Sequence, residues 1–386
     1  MKSLRRLCSL IILISAPLAL FAVRGRPGSP TKIYRAYVGT YTAKTNSKGI
    51  YEFQFDSTTG KMSAAGVAAG TRDPSWVAVH PNGKYLYSVN EAGKASTVTA
   101  FAIEPKSGKL TLLNQLPALG EDPCYLSFDR TGKFLFVANY TSGNVVVFPI
   151  LPDGKLGEHT ALQKDSGTLG PNKERQEAPH AHFIAPSEHN RFVYVSDLGL
   201  DRVLIYKFDA ANGSLASVAA SASAELKPGT GPRHAAFSHD GKFMYVAGEM
   251  ESTVTVLANE NQETFHTIQT NAMLPAGFSG RNDAAEIEIH PNGKFLYASN
   301  RGHDSIVEYS IDANSGKLTQ VGDIPAGGKE PRHFAIDPTG KFLLAENQLS
   351  DTIVEFRIDP ATGKLTRTGE TLTVPSPVCL TFLSID

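Results

Sequence analysis

The feature that most restricts how this chain can fold is a unit copied along nearly all of it. In Pro331-Arg332-His333-Phe334-Ala335-Ile336-Asp337-Pro338-Thr339-Gly340-Lys341-Phe342-Leu343-Leu344-Ala345-Glu346-Asn347 an apolar alternation enters a Pro-Thr-Gly-Lys turn and leaves it through a second apolar run. That pattern spells two strands joined by a tight hairpin. Aligned on the turn, the copies run from Pro74-Ser75 to Asn90, Pro123-Cys124 to Asn139, Ala181-His182 to Asp197, Pro232-Arg233 to Gly248, Ala284-Ala285 to Asn300 and Pro331-Arg332 to Asn347, each fifteen residues from the second-named residue to the last. A third β-rich run follows every copy. Most units then carry a glycine-led turn that opens a fourth strand, at Gly60, Gly108, Gly154, Gly213, Gly316 and Gly363.

Four strands in about 50 residues are the signature of a propeller blade. Six copies are complete, and the seventh is split. Tyr37-Val38-Gly39-Thr40-Tyr41-Thr42 matches the second strand of a unit that lacks its first, and Pro377-Val378-Cys379-Leu380-Thr381-Phe382 matches a first strand that lacks its second. Pairing the two closes a ring and removes the exposed sheet edges that invite aggregation. The expected fold is therefore all-β, a seven-bladed β-propeller of four-stranded blades filling residues 31–386 as one domain.

Residues 1–30 read as a signal peptide and short linker. Lys2, Arg5 and Arg6 precede an apolar run from Leu7 to Val23 that only Ser9, Ser15 and Pro17 interrupt. The expected location is periplasmic or secreted, with an uncleaved anchor as the alternative. Beyond the leader stand Cys124 and Cys379, which the repeat places on inner strands of blades that are not neighbours, so two buried free thiols are expected. Acidic and basic residues nearly cancel, 38 against 37. No whole-chain field therefore draws the protein to nucleic acid or an anionic membrane, and stable membrane contact after leader cleavage is not expected. A monomer or weak dimer is the expected assembly.

In a propeller the first strand lines the central channel, and the loop opening it shares a face with the loop leaving the second strand. Equivalent positions therefore converge. The blade-opening positions hold Ser75, Cys124, His182, Arg233, Ala285, Arg332 and Val378; one step past the end of each second strand stand Tyr41, Glu91, Tyr140, Leu198, Glu249, Arg301 and Gln348. His182, Arg233, Glu249 and Arg301 form the candidate catalytic set, with Arg332, Glu91, Tyr140 and Gln348 as candidate substrate-binding residues. Such a mouth has positive excess and suits an anionic substrate: an imidazole supplies a base near neutral pH, while arginines clamp anions without trading protons. Carbonyl hydrogen bonds between blades are the structural alternative for each arginine or histidine taken singly. His180, His234 and His333 are expected to be structural or rim residues, and His80, His239 and His290 to sit solvated in hairpin turns.

Two segments break the rhythm. The interval from Asn139 to Asp197 is 58 residues against 47 to 52 elsewhere, the excess falling in the polar stretch Lys164 to Ala178, expected to be a loop over one face. The second runs from Pro275 to Asp283, ahead of the fifth copy. The ring Asn90, Asn139, Asp197, Asn300 and Asn347 is rich enough in oxygen for a hard cation, but one carboxylate among amides is weak charge for it, and each Asn is expected instead to cap the turn that follows it. No metal or other cofactor is expected, and no nucleophile elbow, phosphate loop, dinucleotide fingerprint or zinc spacing occurs.

At Tyr37 to Thr42, Pro179-His180-Ala181-His182 with Val195 to Gly199, Gly231-Pro232-Arg233-His234 with Glu249, Ser299-Asn300-Arg301 and Glu330-Pro331-Arg332-His333-Phe334, the chain resembles the seven-bladed propeller lactonases, which include the propeller type of 6-phosphogluconolactonase and the carboxy-cis,cis-muconate lactonizing enzyme. The resemblance covers about residues 33 to 386. It implies a metal-independent site of His182, Arg233, Glu249 and Arg301, with His182 or Glu249 as general acid and base and the arginines holding the anionic group and the developing oxyanion. The expected activity is hydrolysis of a sugar-acid or other anionic lactone. An export signal sets this chain apart from the family's cytosolic role in carbohydrate metabolism. A non-catalytic exported propeller that binds a protein or a cell-wall glycan is the alternative.

Overall fold

In the computed structural model, which describes residues 32–218 and 223–385, the strands form seven sheets arranged as the repeat requires. Blades 1 to 6 span residues 77–117, 123–164, 181–225, 232–272, 283–325 and 331–373. Blade 7 is composite: its innermost strand is Pro377–Ser384, and this pairs antiparallel with Ile33–Thr40, Val38 standing opposite Leu380. The proposed leader lies outside the described residues.

Local chemistry explains each hairpin. In blade 6 the Asp337 carboxylate accepts the backbone N–H of Thr339, Lys341 and Phe342 at 2.7–2.9 Å. Gly340, at φ 72°, makes the left-handed step that closes the turn. Asp129 does the same work in blade 2.

Between blades the interior is apolar. Phe55 and Val38 of blade 7 pack with Phe342 and Leu344 of blade 6, the rings of Phe55 and Phe342 meeting edge to face at 5.6 Å. Burying each such side chain contributes about 1.5–3 kcal/mol. The outer turns also join neighbouring blades. Tyr87, Tyr245 and Tyr297 donate their hydroxyls to the carbonyls of Gly154, Gly316 and Gly363 in the next blade, at 2.7, 3.0 and 2.7 Å. At Gly316 and Gly363 a β-carbon would sit 2.4 Å from the rings of Phe243 and Phe295, so the glycine of this turn is demanded by the adjacent blade as well as by its own backbone.

Several local expectations are corrected. Gly154-Lys155-Leu156 does not open the fourth strand of blade 2: Leu156 makes one isolated bridge to Ile150, and the strand proper is Ala161–Lys164. Blade 7 behaves alike, with Met62 bridging Phe55 ahead of Gly66–Gly70. His290 is buried, and a ring nitrogen of His80 and of His290 meets the carbonyl of Gly132 and of Gly340 at 2.8 and 2.7 Å; these turn histidines tie blade to blade, whereas His239 is exposed as expected. The second-strand asparagines clasp the chain arriving from the previous blade, and of Asn139, Asn300 and Asn347 only Asn300 also reaches across the turn ahead, to Ser305 Oγ. Asn139 donates to the Ala118 carbonyl, Asn300 to Met273 and Asn347 to Ala326. Cys124 and Cys379 are buried free thiols.

Candidate functional site

At the start of blades 2 to 6 the pairing register shifts, between Pro123 and Tyr125, Ala181 and Phe183, Pro232 and Ala235, Ala284 and Ile287, and Pro331 and His333. A bulge re-aims a side chain that a regular strand would send the other way. Consecutive residues here consequently both reach partners on other blades: Arg233 donates to the Ala285 carbonyl at 2.9 Å, while His234 meets Glu286 at 2.9 Å.

Glu249 is the hub of the mouth. Its backbone N–H donates to the Gly231 carbonyl and its own carbonyl accepts from Ala284 N–H, which places it between blades 4 and 5. On Oε2 it takes Arg233 Nε at 3.0 Å and an Arg301 guanidinium nitrogen at 3.1 Å. Oε1 takes Arg175, from the long loop after blade 2. Burial alone would raise the carboxyl, yet the charges of Arg301 and Arg233 outweigh it and hold Glu249 far below the usual carboxylate range. That direction favours the ionised carboxylate, which suits a charge partner of the arginines.

His182 stands beside this cluster, buried, with its ring edge-on to Tyr140 at 5.5 Å and to His234 at 5.1 Å. Its Nδ1 is buried and has no hydrogen-bond partner among the described residues. Desolvation first, then the charge of Arg233, pushes its pKa well below the ordinary histidine value. The imidazole is neutral and able to take a proton. Arg233 itself is pulled down to about 10 by burial and by Arg301 and Arg332.

Arg332 belongs to a second cluster. Its guanidinium donates to the Tyr41 hydroxyl at 3.0 Å and lies over the Tyr41 ring. Tyr41 donates in turn to Glu91 at 2.8 Å, and the Ser75 hydroxyl binds the other Glu91 oxygen. Burial raises the Glu91 carboxyl despite Arg332. Tyr140 stacks on His180 at 4.6 Å. Gln348 is tied in by its backbone N–H to the Glu330 carbonyl and lines a cavity of about 630 Å³ that Tyr41 and Glu91 share. The eight candidate residues thus divide into an Arg233–Glu249–Arg301 group beside His182 and Tyr140, and an Arg332–Glu91 pair bridged by Tyr41, with Gln348 lining the same cavity as Glu91. Of the residues missed, Tyr41 and Ser75 stood at repeat-equivalent positions without being chosen. Arg175 carried no repeat signal at all; only the excess length of its loop pointed there.

Deeper in the channel, Trp76 meets His234 and His333 edge to face, each at 5.2 Å, and Tyr125 packs on Trp76 at 4.2 Å. His180, His234 and His333 are buried structural residues, and none lies on a solvent-facing rim. Beyond this layer a cavity of about 880 Å³ is lined by Trp76, Phe237, Glu286 and Glu288 among others. Burial pushes Glu286 up to about 7 and Glu288 up to about 8. A carboxyl raised on folding binds its proton more tightly in the folded chain, so its stabilising contribution is lost as pH climbs towards the folded value. His182, His234 and His333, lowered on folding by burial, act in the opposite sense only below about pH 6.5. The melting temperature is therefore expected to fall between about pH 6.5 and 8. Glu288→Gln keeps an acceptor for the Ile336 N–H, so it should flatten that slope in thermal melts taken across the window; an unchanged slope would place the titration elsewhere.

Comparisons with known proteins agree with this architecture. The sequence model of the family described as "Lactonase, 7-bladed beta-propeller" matches residues 35–382. The 6-phosphogluconolactonase of Bacillus subtilis is 38% identical over 91% of this chain and 98% of its own length. That of Formosa agariphila is 36% identical over 78% of this chain and 85% of its own. Among solved structures, the periplasmic gluconolactonase of Pseudomonas aeruginosa superposes with a TM-score of 0.87 at 34% identity, covering 92% of this chain and all of the other.

Proposed function

Starting from the fact that this chain belongs to the seven-bladed β-propeller lactonase family and is a lactone hydrolase, we propose that it opens a sugar-acid lactone bearing an anionic group, at the mouth built by His182, Arg233, Glu249 and Arg301. The observation that carries this reading is an imidazole with a free Nδ1 beside guanidiniums that outnumber the carboxylate they share. Neutral His182 takes a proton from water as the oxygen attacks the lactone carbonyl. Arg233 and Arg301 face the tetrahedral oxyanion. Collapse breaks the ring C–O bond, and the imidazolium returns its proton to the departing ring oxygen, leaving a hydroxy acid. Glu249 keeps the arginines in place and takes no part in proton transfer. An anionic substrate also offsets the arginine field that weakens His182 as a base, so binding raises its basicity when proton transfer is needed.

This reading predicts that His182→Ala lowers kcat for glucono-δ-lactone and its 6-phosphate by about a hundredfold or more. In the wild type the acid limb of kcat/KM should lie well below pH 6.5, following the depressed imidazole. A pH-rate profile and stopped-assay kinetics on both lactones test it; unchanged turnover in the variant removes His182 from the mechanism. Export is part of the proposal. The Lys/Arg-led apolar stretch of residues 2–23 supports it, as does a periplasmic relative, and fractionation of expressing cells with N-terminal sequencing of the mature protein tests it.

A further inference from the structure

We infer that Arg175, on the insertion between blades 2 and 3, is the specificity residue of this site: it leaves its resting partners to hold the phosphate or carboxylate of a charged lactone. The inference rests on the lactonase reading above and extends it to the choice of substrate.

The inserted loop is held from below, next to Arg175. Gln176 is fully buried, donates to the Leu198 carbonyl at 2.9 Å and accepts the Asn172 N–H at 3.1 Å. Gly170 lies so close to the Gln176 amide that a β-carbon there would sit 2.1 Å from it. This anchor sets Arg175 over the mouth, where it pairs with Glu249 and Asp283.

The other arginines of the mouth are committed. Arg233 and Arg301 bind both Glu249 Oε2 and backbone carbonyls of blade 5, and their side chains are 2% and 10% exposed. Arg332 is engaged with Tyr41. Arg175 differs on two counts. Its side chain is 33% exposed, and neither carboxylate depends on it: Glu249 keeps Arg233 and Arg301, and Asp283 keeps Arg281 at 2.8–2.9 Å. Withdrawing a partner from a buried carboxylate is costly when it strands the charge. Here re-pairing strands none. A guanidinium that presents a planar fork, reaches solvent and has partners already satisfied by others is suited to bidentate capture of an incoming phosphate or carboxylate.

The test compares glucono-δ-lactone, its 6-phosphate and a glucaro-lactone bearing a free carboxylate, in wild type, Arg175→Ala and Arg175→Lys. The wild type should favour one charged lactone over the uncharged one in kcat/KM, and which one identifies the anion. In Arg175→Ala that preference should fall at least about tenfold, chiefly through KM, whatever happens to turnover of the uncharged lactone. Lysine, a point charge without the fork, should restore part of it. A wild type without preference for either charged lactone, or a preference that survives in Arg175→Ala, overturns this inference alone. A wild type that hydrolyses none of the three overturns the lactonase reading with it. Thermal melts of both variants establish that the fold is intact.

Discussion

Replacing Arg233 with alanine is expected to lower kcat/KM for lactone hydrolysis by about a hundred- to a thousandfold, the usual consequence of removing one preorganised partner of a developing oxyanion. The fold should tolerate the change. Glu249 would still be paired with Arg301 on Oε2 and Arg175 on Oε1, so no buried carboxylate is stranded; what is lost is the inter-blade bond to the Ala285 carbonyl and one of the three ion pairs of Glu249, about 1.5–3 kcal/mol for a hydrogen bond made by a charged group. Steady-state kinetics beside a thermal melt separates the two effects. Activity within a few-fold of wild type would show that Arg233 is an inter-blade tie and that the reaction occurs elsewhere in the mouth.

Glu249→Gln should behave in the opposite way, striking the fold first. The substituted side chain keeps nearly the same shape but carries no charge. Arg233, 2% exposed, and Arg301, 10% exposed, would then face each other and Arg175 with no shared counterion. Burial and the neighbouring arginines already hold the Arg233 pKa down at about 10 with Glu249 in place. Breaking a buried pair so that charge is left uncompensated costs about 3–5 kcal/mol, which denaturant unfolding at constant slope would read directly. The double variant Arg233→Met with Glu249→Gln should recover part of that loss, because one of the stranded charges goes with it. Purely additive losses would mean that the two side chains are energetically independent despite their 3.0 Å contact.

These two outcomes differ because of a single asymmetry. One carboxylate serves three guanidiniums, so the carboxylate is indispensable to the arrangement while each guanidinium is replaceable in it. Glu249 is the shared counterion of the mouth, and under the proposed reading the chemistry there falls to His182 and the arginines.

Much of the fold was readable from the repeat. Its constant fifteen-residue spacing, the split seventh unit and the turn residues prescribe the ring, its closure between Ile33–Thr40 and Pro377–Ser384, and the convergence of His182, Arg233, Glu249 and Arg301. A repeat states which positions are equivalent, and in a closed ring equivalent positions face the same axis. It does not state which neighbour a side chain chooses. That Glu249 would take three arginines and Glu91 a tyrosine and a serine, that His290 would reach Gly340 in place of solvent, and that second-strand asparagines would clasp the preceding blade were settled by packing between blades.

Arg175 marks the boundary most sharply. The repeat has no register to give the insertion that carries it, and 74 residues separate it from Glu249 and 108 from Asp283. Local sequence determines backbone turns and strand faces because those depend on a few adjacent residues. A contact across such separations exists only once the ring has closed and the insertion has been pinned over it by Gln176, and the same is true of the depressed His182 and the raised Glu286 and Glu288, whose proton affinities are set by the burial and the charges that closure imposes.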